Sequence, residues 1–263
     1  MNRLSQWMTL YRKEMLEMSR NAKWIWVPLV FIIIGAMQPV TTYYTPQIIK
    51  NMGSLPEGAV IQIPIPSPQD VIVSTLSQFG TIGILILVLV SMAIISGERQ
   101  SSVAGMIMIK PVPPVSYITA KWAGIQTLTL VSFACGFTAA AYYTVQLFGK
   151  IEVVPLMQSF AVYGLWLVFI VTVTVVFGTW LRGSAAIAFA GIATAIVLTV
   201  AGGLFKPYMA WSPFMLTNHA AALVSQGQLS DNLVLCILSS LLLIALLLAG
   251  GVQLFRNRSD LTG

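Results

Sequence analysis

Charged residues are scarce in this sequence. Asp, Glu, Lys and Arg make up 8% of its 263 residues, and 57% of the residues are hydrophobic. An ordinary soluble domain carries about 25% charged residues, which cover its surface. So few charges exclude water as the main solvent of the fold, and the composition predicts an integral membrane protein.

The chain also lacks the residues of most catalytic and metal sites. It has one histidine, His219, and its two cysteines, Cys135 and Cys236, fall in apolar runs where packing is their expected role. No G-x-x-x-x-G-K-[ST] occurs, so the chain has no P-loop for ATP, and H-E-x-x-H and G-x-S-x-G are also absent. We therefore expect no catalytic, cofactor-binding or metal-binding residues and no enzymatic activity in this chain.

Long runs without any charge predict the membrane spans. Six such runs exceed the ~20 residues needed to cross the hydrocarbon: 24–49, 71–97, 122–149, 153–181, 183–205 and 232–255. We predict an all-α protein, a single transmembrane domain (1–263) with spans near 24–43, 76–96, 122–145, 158–181, 185–203 and 233–254. Small residues such as Gly136 and Gly191 are expected to allow close helix packing, within the bundle or across a dimer.

A seventh uncharged run, 207–230, is too polar and broken for a simple span. It contains Pro213, Asn218 and His219. Broken backbone at membrane depth is tolerated only where protein or water covers it. We predict that residues 204–231 form an external re-entrant segment, in which His219 is exposed or interfacial.

The basic residues predict the orientation. With the N-terminus inside, eleven of the fourteen Lys and Arg residues fall in cytoplasmic segments, and Lys50, Lys150 and Lys206 stand alone in external loops. Six spans return the C-terminus to the cytoplasm. The net charge of +6 therefore reflects membrane topology, and we expect contact with lipids and none with nucleic acid.

Residues 1–23 predict an amphipathic helix at the cytoplasmic interface. Its apolar stripe has helical spacings of four, three, four and three residues: Leu4, Met8, Tyr11, Met15 and Met18. Arg12 and Lys13 lie on the polar side of the helix, as in helices that rest on membrane surfaces. The periodicity alone leaves two roles open, a membrane anchor and a docking element for a cytoplasmic partner.

A second short helix is predicted in the loop between spans two and three. Residues 98–110 can form a helix that Pro111 ends, because proline has no N–H and crowds the preceding turn. The helix begins with Glu98 and Arg99, and Lys110 closes it. Its apolar side chains need a covering surface, which is either a partner or the protein's own spans: Val103, Met106 and Ile107.

This loop resembles that of the permease subunits of type-two ABC transporters. That family reads approximately E-R-x-x-G-T-L, several leucines, P-V-S-R and a closing G-K. The matching residues are Glu98, Arg99, Pro111, Val112, Ile118 and Lys121. Ser102-Val103 replaces Gly-Thr, and Pro113-Pro114 replaces Ser-Arg, so no role of that arginine carries over. The Tyr11–Glu14 run also resembles the start of the family's entry helix.

The resemblance implies a transport function without catalysis in this chain. It implies an exporter permease that pairs with a second permease subunit and binds a separate ATP-binding subunit on the cytoplasmic face. Residues 98–110 would be the coupling helix, with contacts from Glu98, Arg99, Val103, Met106, Ile107, Lys110 and Pro111. The interfacial helix would contribute Tyr11, Arg12, Lys13 and Met15.

The location and cargo are expectations of the same kind. A bacterial cytoplasmic membrane fits the short loops and the resemblance. A neutral span interior suits an amphipathic or lipophilic substrate. The alternatives are a stand-alone secondary carrier or channel and a membrane assembly or sensory protein that transports nothing.

Overall fold

The computed structural model describes residues 3–51, 66–100, 113–181, 183–205, 209, 211–227 and 232–259. These residues are almost entirely helical, and six helices among them are long and apolar enough to cross a membrane. The prediction of an all-α membrane protein with six spans is confirmed.

Ten α-helices are present in the described part of the chain: α1 (Arg3–Arg20), α2 (Lys23–Asn51), α3 (Pro68–Gln78), α4 (Ile84–Ser91), α5 (Ala93–Gln100), α6 (Pro114–Phe148), α7 (Val153–Trp180), α8 (Ser184–Leu204), α9 (Met215–Gln226) and α10 (Leu233–Ser259). A π-helix, Phe79–Gly83, joins α3 to α4, so that α3, α4 and α5 together form the second span. The other spans are α2, α6, α7, α8 and α10.

The spans alternate in direction, and ring contacts mark the two ends of the bundle. Tyr117, near the start of α6, stacks on Phe255, near the end of α10, with ring centroids 5.5 Å apart. At the other end Tyr43 of α2 meets Phe148 of α6 edge to face at 6.0 Å. We call the first of these the α1 end, because α1 precedes the start of α2 there.

The first three spans extend furthest beyond their predicted limits. α2 continues to Asn51 through Pro39 and Pro46. The second span begins at Pro68, because Ser67 and Asp70 form a reciprocal capping box there. α6 begins at Pro114, eight residues before the predicted start of the third span. In each of these spans the helix includes a charged residue, whereas a prediction from uncharged runs places the limit of the span at that residue.

The centre of the bundle is α7, which packs against α6, α8, α9 and α10 as well as the second span. Its Tyr163 is buried, and the hydroxyl donates a hydrogen bond to the Leu76 carbonyl at 2.7 Å, one turn before the π-helix. Phe133 of α6 lies between Phe79 and Phe160, with centroid distances of 5.4 and 5.1 Å. This aromatic cluster joins the second span, α6 and α7.

The outer faces of α8 and α10 are apolar and exposed. Phe189 and Leu204 of α8 are 76% and 73% exposed, and Val234 and Leu242 of α10 are 66% and 61% exposed. Exposure of such a surface to water is unfavourable, whereas the acyl chains of lipids solvate it. The structure therefore agrees with a multi-pass membrane protein in which these two helices face outward.

The closest approach of two helices is between α2 and α6. A Cβ added to Gly35 would lie 2.1 Å from the Gly136 carbonyl oxygen, and one added to Gly136 would lie 2.5 Å from the Phe31 carbonyl oxygen. The two backbones are therefore in direct contact, and neither position has room for a methyl group. This confirms the expectation that Gly136 permits close packing within the bundle.

We predict that Gly136→Ala lowers the stability of the detergent-solubilised protein by about 1–3 kcal/mol or more, because the obstructing atoms are backbone and cannot rotate away. Thermal unfolding measures the loss. Gly250→Ala in α10 is the matched control, since no atom lies within 4 Å of its added Cβ. An equal effect of the two substitutions would contradict the proposed backbone contact.

Candidate functional site

One face of α1 lies on the first four turns of α6. The indole Nε1 of Trp7 donates a hydrogen bond to Thr119 Oγ1 at 3.0 Å, and the Tyr11 hydroxyl is 3.0 Å from Thr127 Oγ1. The Trp7 and Tyr11 rings stack on each other with centroids 5.5 Å apart. These aromatic side chains thus fix α1 to the protein with both apolar and polar contacts.

A buried ion pair stands at the centre of this contact. Lys121 Nζ of α6 lies 2.8 Å from Glu14 Oε1 of α1, and the two residues are only 2% and 7% exposed. The same ammonium lies 5.2 Å from the centre of the Tyr117 ring. Gly124 makes room for α1, since its added Cβ would lie 3.2 Å from Glu14 Cβ. Removal of either charge would leave the other buried without its partner.

The sequence did not predict this pair. Lys121 is expected at the membrane boundary, as the end of a loop, but α6 already begins at Pro114 and places it two turns inside a helix. The sequence singles out Glu14 only as the last residue of the Tyr11–Glu14 run and predicts no contact for it. Glu14 lies on the same face of α1 as Trp7, Tyr11 and Met18. These three residues are spaced four and seven positions apart, and this helical spacing is the signal in the sequence that could have identified the buried face.

The remaining surface of α1 divides between apolar and charged side chains. Leu4 and Leu16 are 75% and 65% exposed, and Leu16 lies on the side of α1 opposite to α6, as expected of a helix that rests in a membrane interface. Arg12 is also exposed. Lys13 lies 3.4 Å from Glu14 and 3.5 Å from Glu17. The predicted amphipathic helix is therefore present, but its most buried face carries the Glu14 carboxylate.

A cavity of about 410 Å³ lies beside the ion pair, between α1, the start of α2, α5 and α6. Its charged lining consists of three lysines and two glutamates: Lys13, Lys23, Lys121, Glu14 and Glu17. Apolar side chains complete the wall, among them Met18, Ile94 and Ile125. The lining of the cavity thus combines charged and apolar side chains.

The joint between α1 and α2 forms part of this site. Ala22 has a left-handed backbone with φ of 53°, a conformation that few residues other than glycine adopt. Directly after it, the Lys23 ammonium donates a hydrogen bond to the Val90 carbonyl at 3.3 Å. Val90 lies just before Met92, where the second span is interrupted between α4 and α5. Lys23 therefore connects the joint to the interruption.

The predicted interface residues fall into two groups. Tyr11, Lys13 and Met15 lie on or beside the contact with α6, and Met15 packs over Gly124. The backbone of Glu98 and Arg99 continues α5 and does not begin a separate helix. The other coupling residues lie outside the described part of the chain: Val103, Met106, Ile107, Lys110 and Pro111.

The expectation for His219 was wrong, because this residue is buried. It lies on α9, which packs against α7 and α3, and is only 7% exposed. Its Nε2 atom has no hydrogen-bond partner among the described residues. Burial lowers the pKa of His219 below its ordinary value, since the charged imidazolium loses its hydration. The apolar residues around it in sequence gave no signal for this burial.

No cluster of three or more potential metal ligands exists in the described residues. Cys236 is buried and its thiol donates to the Ser212 carbonyl at 3.1 Å, while Cys135 is partly buried. Both cysteines are free thiols in helices, as predicted for packed residues. What distinguishes the α1 end is therefore its charge pair and cavity.

The full length of the chain matches a known membrane protein. It is 35% identical over 250 residues to the uncharacterized transmembrane protein YxlG of Bacillus subtilis (strain 168), an alignment that covers 95% of this chain and 97% of that protein. The chain belongs to the YxlG family. No protein-family model matches it. The alignment with YxlG and the six apolar helices agree that this is a transmembrane protein.

We predict that the Glu14–Lys121 pair is non-additive in a double-mutant cycle. Glu14→Leu and Lys121→Met should each destabilise the solubilised protein, by up to about 3–5 kcal/mol, because each removes the 2.8 Å contact of a buried charge. The double substitution should recover most of that loss. Thermal unfolding checks this, with Glu17→Gln as a control for the exposed Lys13–Glu17 pair, which should change stability little. Additive losses would contradict the pairing.

We predict that His219 makes stability depend on pH. Its pKa is lowered on folding, so the folded protein binds fewer protons than the unfolded chain between that lowered pKa and about 6.5. The free energy of unfolding should have its full value above about pH 6.5 and should decrease as the pH falls below that value. Unfolding temperatures between pH 5 and 8 test this, and His219→Gln should remove most of the slope. An unchanged slope in that variant would show that other groups cause it.

Proposed function

We propose that this protein is the permease subunit of an ATP-binding-cassette transporter, an exporter driven by an ATPase on a separate chain. The observation that carries the proposal is the attachment of α1 to α6 through the buried Glu14–Lys121 pair. α1 lies beside α5, whose end leads into residues 98–110. α1 and the end of α5, from which the chain continues into the segment that resembles the family's coupling helix, thus lie at the same end of the bundle.

The contacts of α1 suggest how force would enter the membrane domain. A partner that displaced α1 would also displace the start of α6, because the ion pair and two side-chain hydrogen bonds join them. A partner that moved residues 98–110 would move α5, which is interrupted from α4 at Met92. ATP binding to such a partner would favour one arrangement of these parts over the other by its differential affinity.

The charge distribution supports a cytoplasmic position for this end. Nine of the fourteen Lys and Arg residues lie in described segments at the α1 end, and Lys110 and Arg182, which the sequence assigns to the same side, lie outside the described residues. By the positive-inside rule both termini would then lie in the cytoplasm, here of a bacterium. The absence of a P-loop from the sequence assigns ATP hydrolysis to the partner, so that this subunit would transport without being an enzyme and would bind no cofactor itself.

The outer faces of α8 and α10 leave room for a second permease subunit. Both helices expose long apolar surfaces, which lipid or a neighbouring membrane subunit can cover. A homodimer and a heterodimer are equally compatible with this surface. The apolar spans favour an amphipathic or lipophilic cargo, which could enter between the subunits from the bilayer.

We predict that the protein co-purifies with a P-loop ATPase encoded beside it, and that Met106→Asp and Ile107→Asp remove the complex. A carboxylate in the apolar contact would have to be desolvated without a partner. Affinity capture after co-expression in detergent measures this. Val153→Asp is the matched control, because Val153 is an apolar residue, 68% exposed, at the opposite end of the bundle.

Transport measurements complete this test. ATP-dependent export from vesicles that contain both chains, with none from either chain alone, is the expected result. Two outcomes would contradict the proposal: no complex with the wild-type chain, or flux through the chain alone, driven by a gradient, in liposomes without ATP. The second outcome would identify a stand-alone carrier.

A further inference from the structure

Lys23 is a cation without a carboxylate partner in the described part of the chain. Its one hydrogen bond is the 3.3 Å contact from Nζ to the Val90 carbonyl. The side chain is only partly exposed and lines the 410 Å³ cavity. An ammonium group has three N–H donors, so two of them face the cavity or solvent. A half-buried cation of this kind favours an anion beside it.

The other charges of the cavity compensate one another. Lys121 pairs with Glu14 at 2.8 Å, and Lys13 lies within 3.5 Å of both glutamates. Among the described residues of the lining, three lysines and two glutamates leave an excess of one positive charge. Since Lys13 and Lys121 both lie beside carboxylates, this excess resides at Lys23. A singly charged anion would neutralise the cavity.

The position of the cavity identifies the kind of anion. Lys23 begins the first span and Gly97 ends the second, and both residues line the cavity. The first span of 26 residues is about 39 Å long at 1.5 Å per residue, more than the ~30 Å of hydrocarbon, so its ends reach the headgroup layer. The anions concentrated at that depth are the phosphates of phospholipids.

The apolar wall of the cavity distinguishes a lipid from a free phosphate ion. Met18, Ile94 and Ile125 line it beside the charged residues. Inorganic phosphate would gain nothing from these side chains, whereas a lipid glycerol group and the first methylenes of an acyl chain can pack on them, at about 0.8 kcal/mol per buried CH₂. A cavity lined by both charged and apolar side chains thus fits an amphipathic anion.

We propose that this cavity binds a phospholipid of the surrounding leaflet, with the Lys23 ammonium on its phosphate group and an acyl chain beside Ile94 and Ile125. The lipid would hold together three parts that meet there, namely α1, the interrupted end of the second span, and α6. This inference does not rest on the proposed transport function, since it requires only the cavity and its depth in the membrane.

Titrations of the full-length protein in maltoside detergent, followed by native mass spectrometry, test the proposal. The probe is dioctanoyl phosphatidylglycerol, which carries one negative charge. Dioctanoylglycerol, which has the chains without the phosphate, and inorganic phosphate, which lacks the chains, are the two comparison ligands. We expect saturable binding of one phosphatidylglycerol and at least tenfold weaker binding of both comparison ligands.

Lys23→Gln should weaken phosphatidylglycerol binding about tenfold, and Lys23→Arg should retain it, because a charge-assisted hydrogen bond is lost only in the first variant. Lys150→Gln is the matched control, an exposed lysine at the opposite end of the bundle, and it should bind as the wild type does. Unfolding temperatures of all variants establish that each is folded.

Three results would overturn the proposal. Equal binding by wild type and a folded Lys23→Gln variant would show that lipid binds elsewhere or without specificity. Inorganic phosphate that binds as tightly as the lipid would identify a free-anion site. Dioctanoylglycerol that binds as tightly would remove the role of the phosphate. A failure of ATPase capture or of transport, by contrast, would leave the lipid site intact.

Discussion

The direct backbone contact between α2 and α6 determines the arrangement of the α1 end. Where Gly35 and Gly136 meet, the two helices cannot slide or rotate without a collision of main-chain atoms. From this contact α2 runs about 18 Å to Lys23 and α6 about 22 Å to Lys121, at 1.5 Å per residue. The start of α2 and the first turns of α6 are therefore held near one another, and α1, joined to α2 by a two-residue turn, lies on α6.

The Glu14–Lys121 pair is the electrostatic consequence of this arrangement. A carboxylate and an ammonium that are both buried are tolerated only together, since each alone would retain an uncompensated desolvation cost. The pair consequently specifies which face of α1 meets the protein, whereas Leu16 on the other side remains available to lipid. An apolar stripe alone would not have distinguished these two faces, because both carry large apolar side chains.

The sequence predicts the bundle well and the site poorly, for one physical reason. Uncharged runs identify all six spans because isolated charges are costly in hydrocarbon. The same rule begins the second span after Asp70 and the third after Lys121, although a capping box at Asp70 and a partner at Lys121 allow each helix to include its charge. Buried polar groups depend on contacts between residues distant in sequence, such as Glu14 with Lys121, and periodicity within one helix does not contain that information.

The left-handed Ala22 gives the α1 end a joint between α1 and α2, whereas at Met92, between α4 and α5, the backbone keeps helical dihedral angles. α1 and α6 are fixed to each other by the ion pair, whereas α5 contacts α1 across the cavity and ends where residues 98–110 begin. Ile94 and Gly97 of α5 line the cavity, so a change in the tilt of α5 would alter its shape. Whatever occupies the cavity, the proposed lipid included, would bias that tilt in proportion to its different affinity for the two arrangements. In the proposed transporter the membrane would thus act on the same helix as the ATPase.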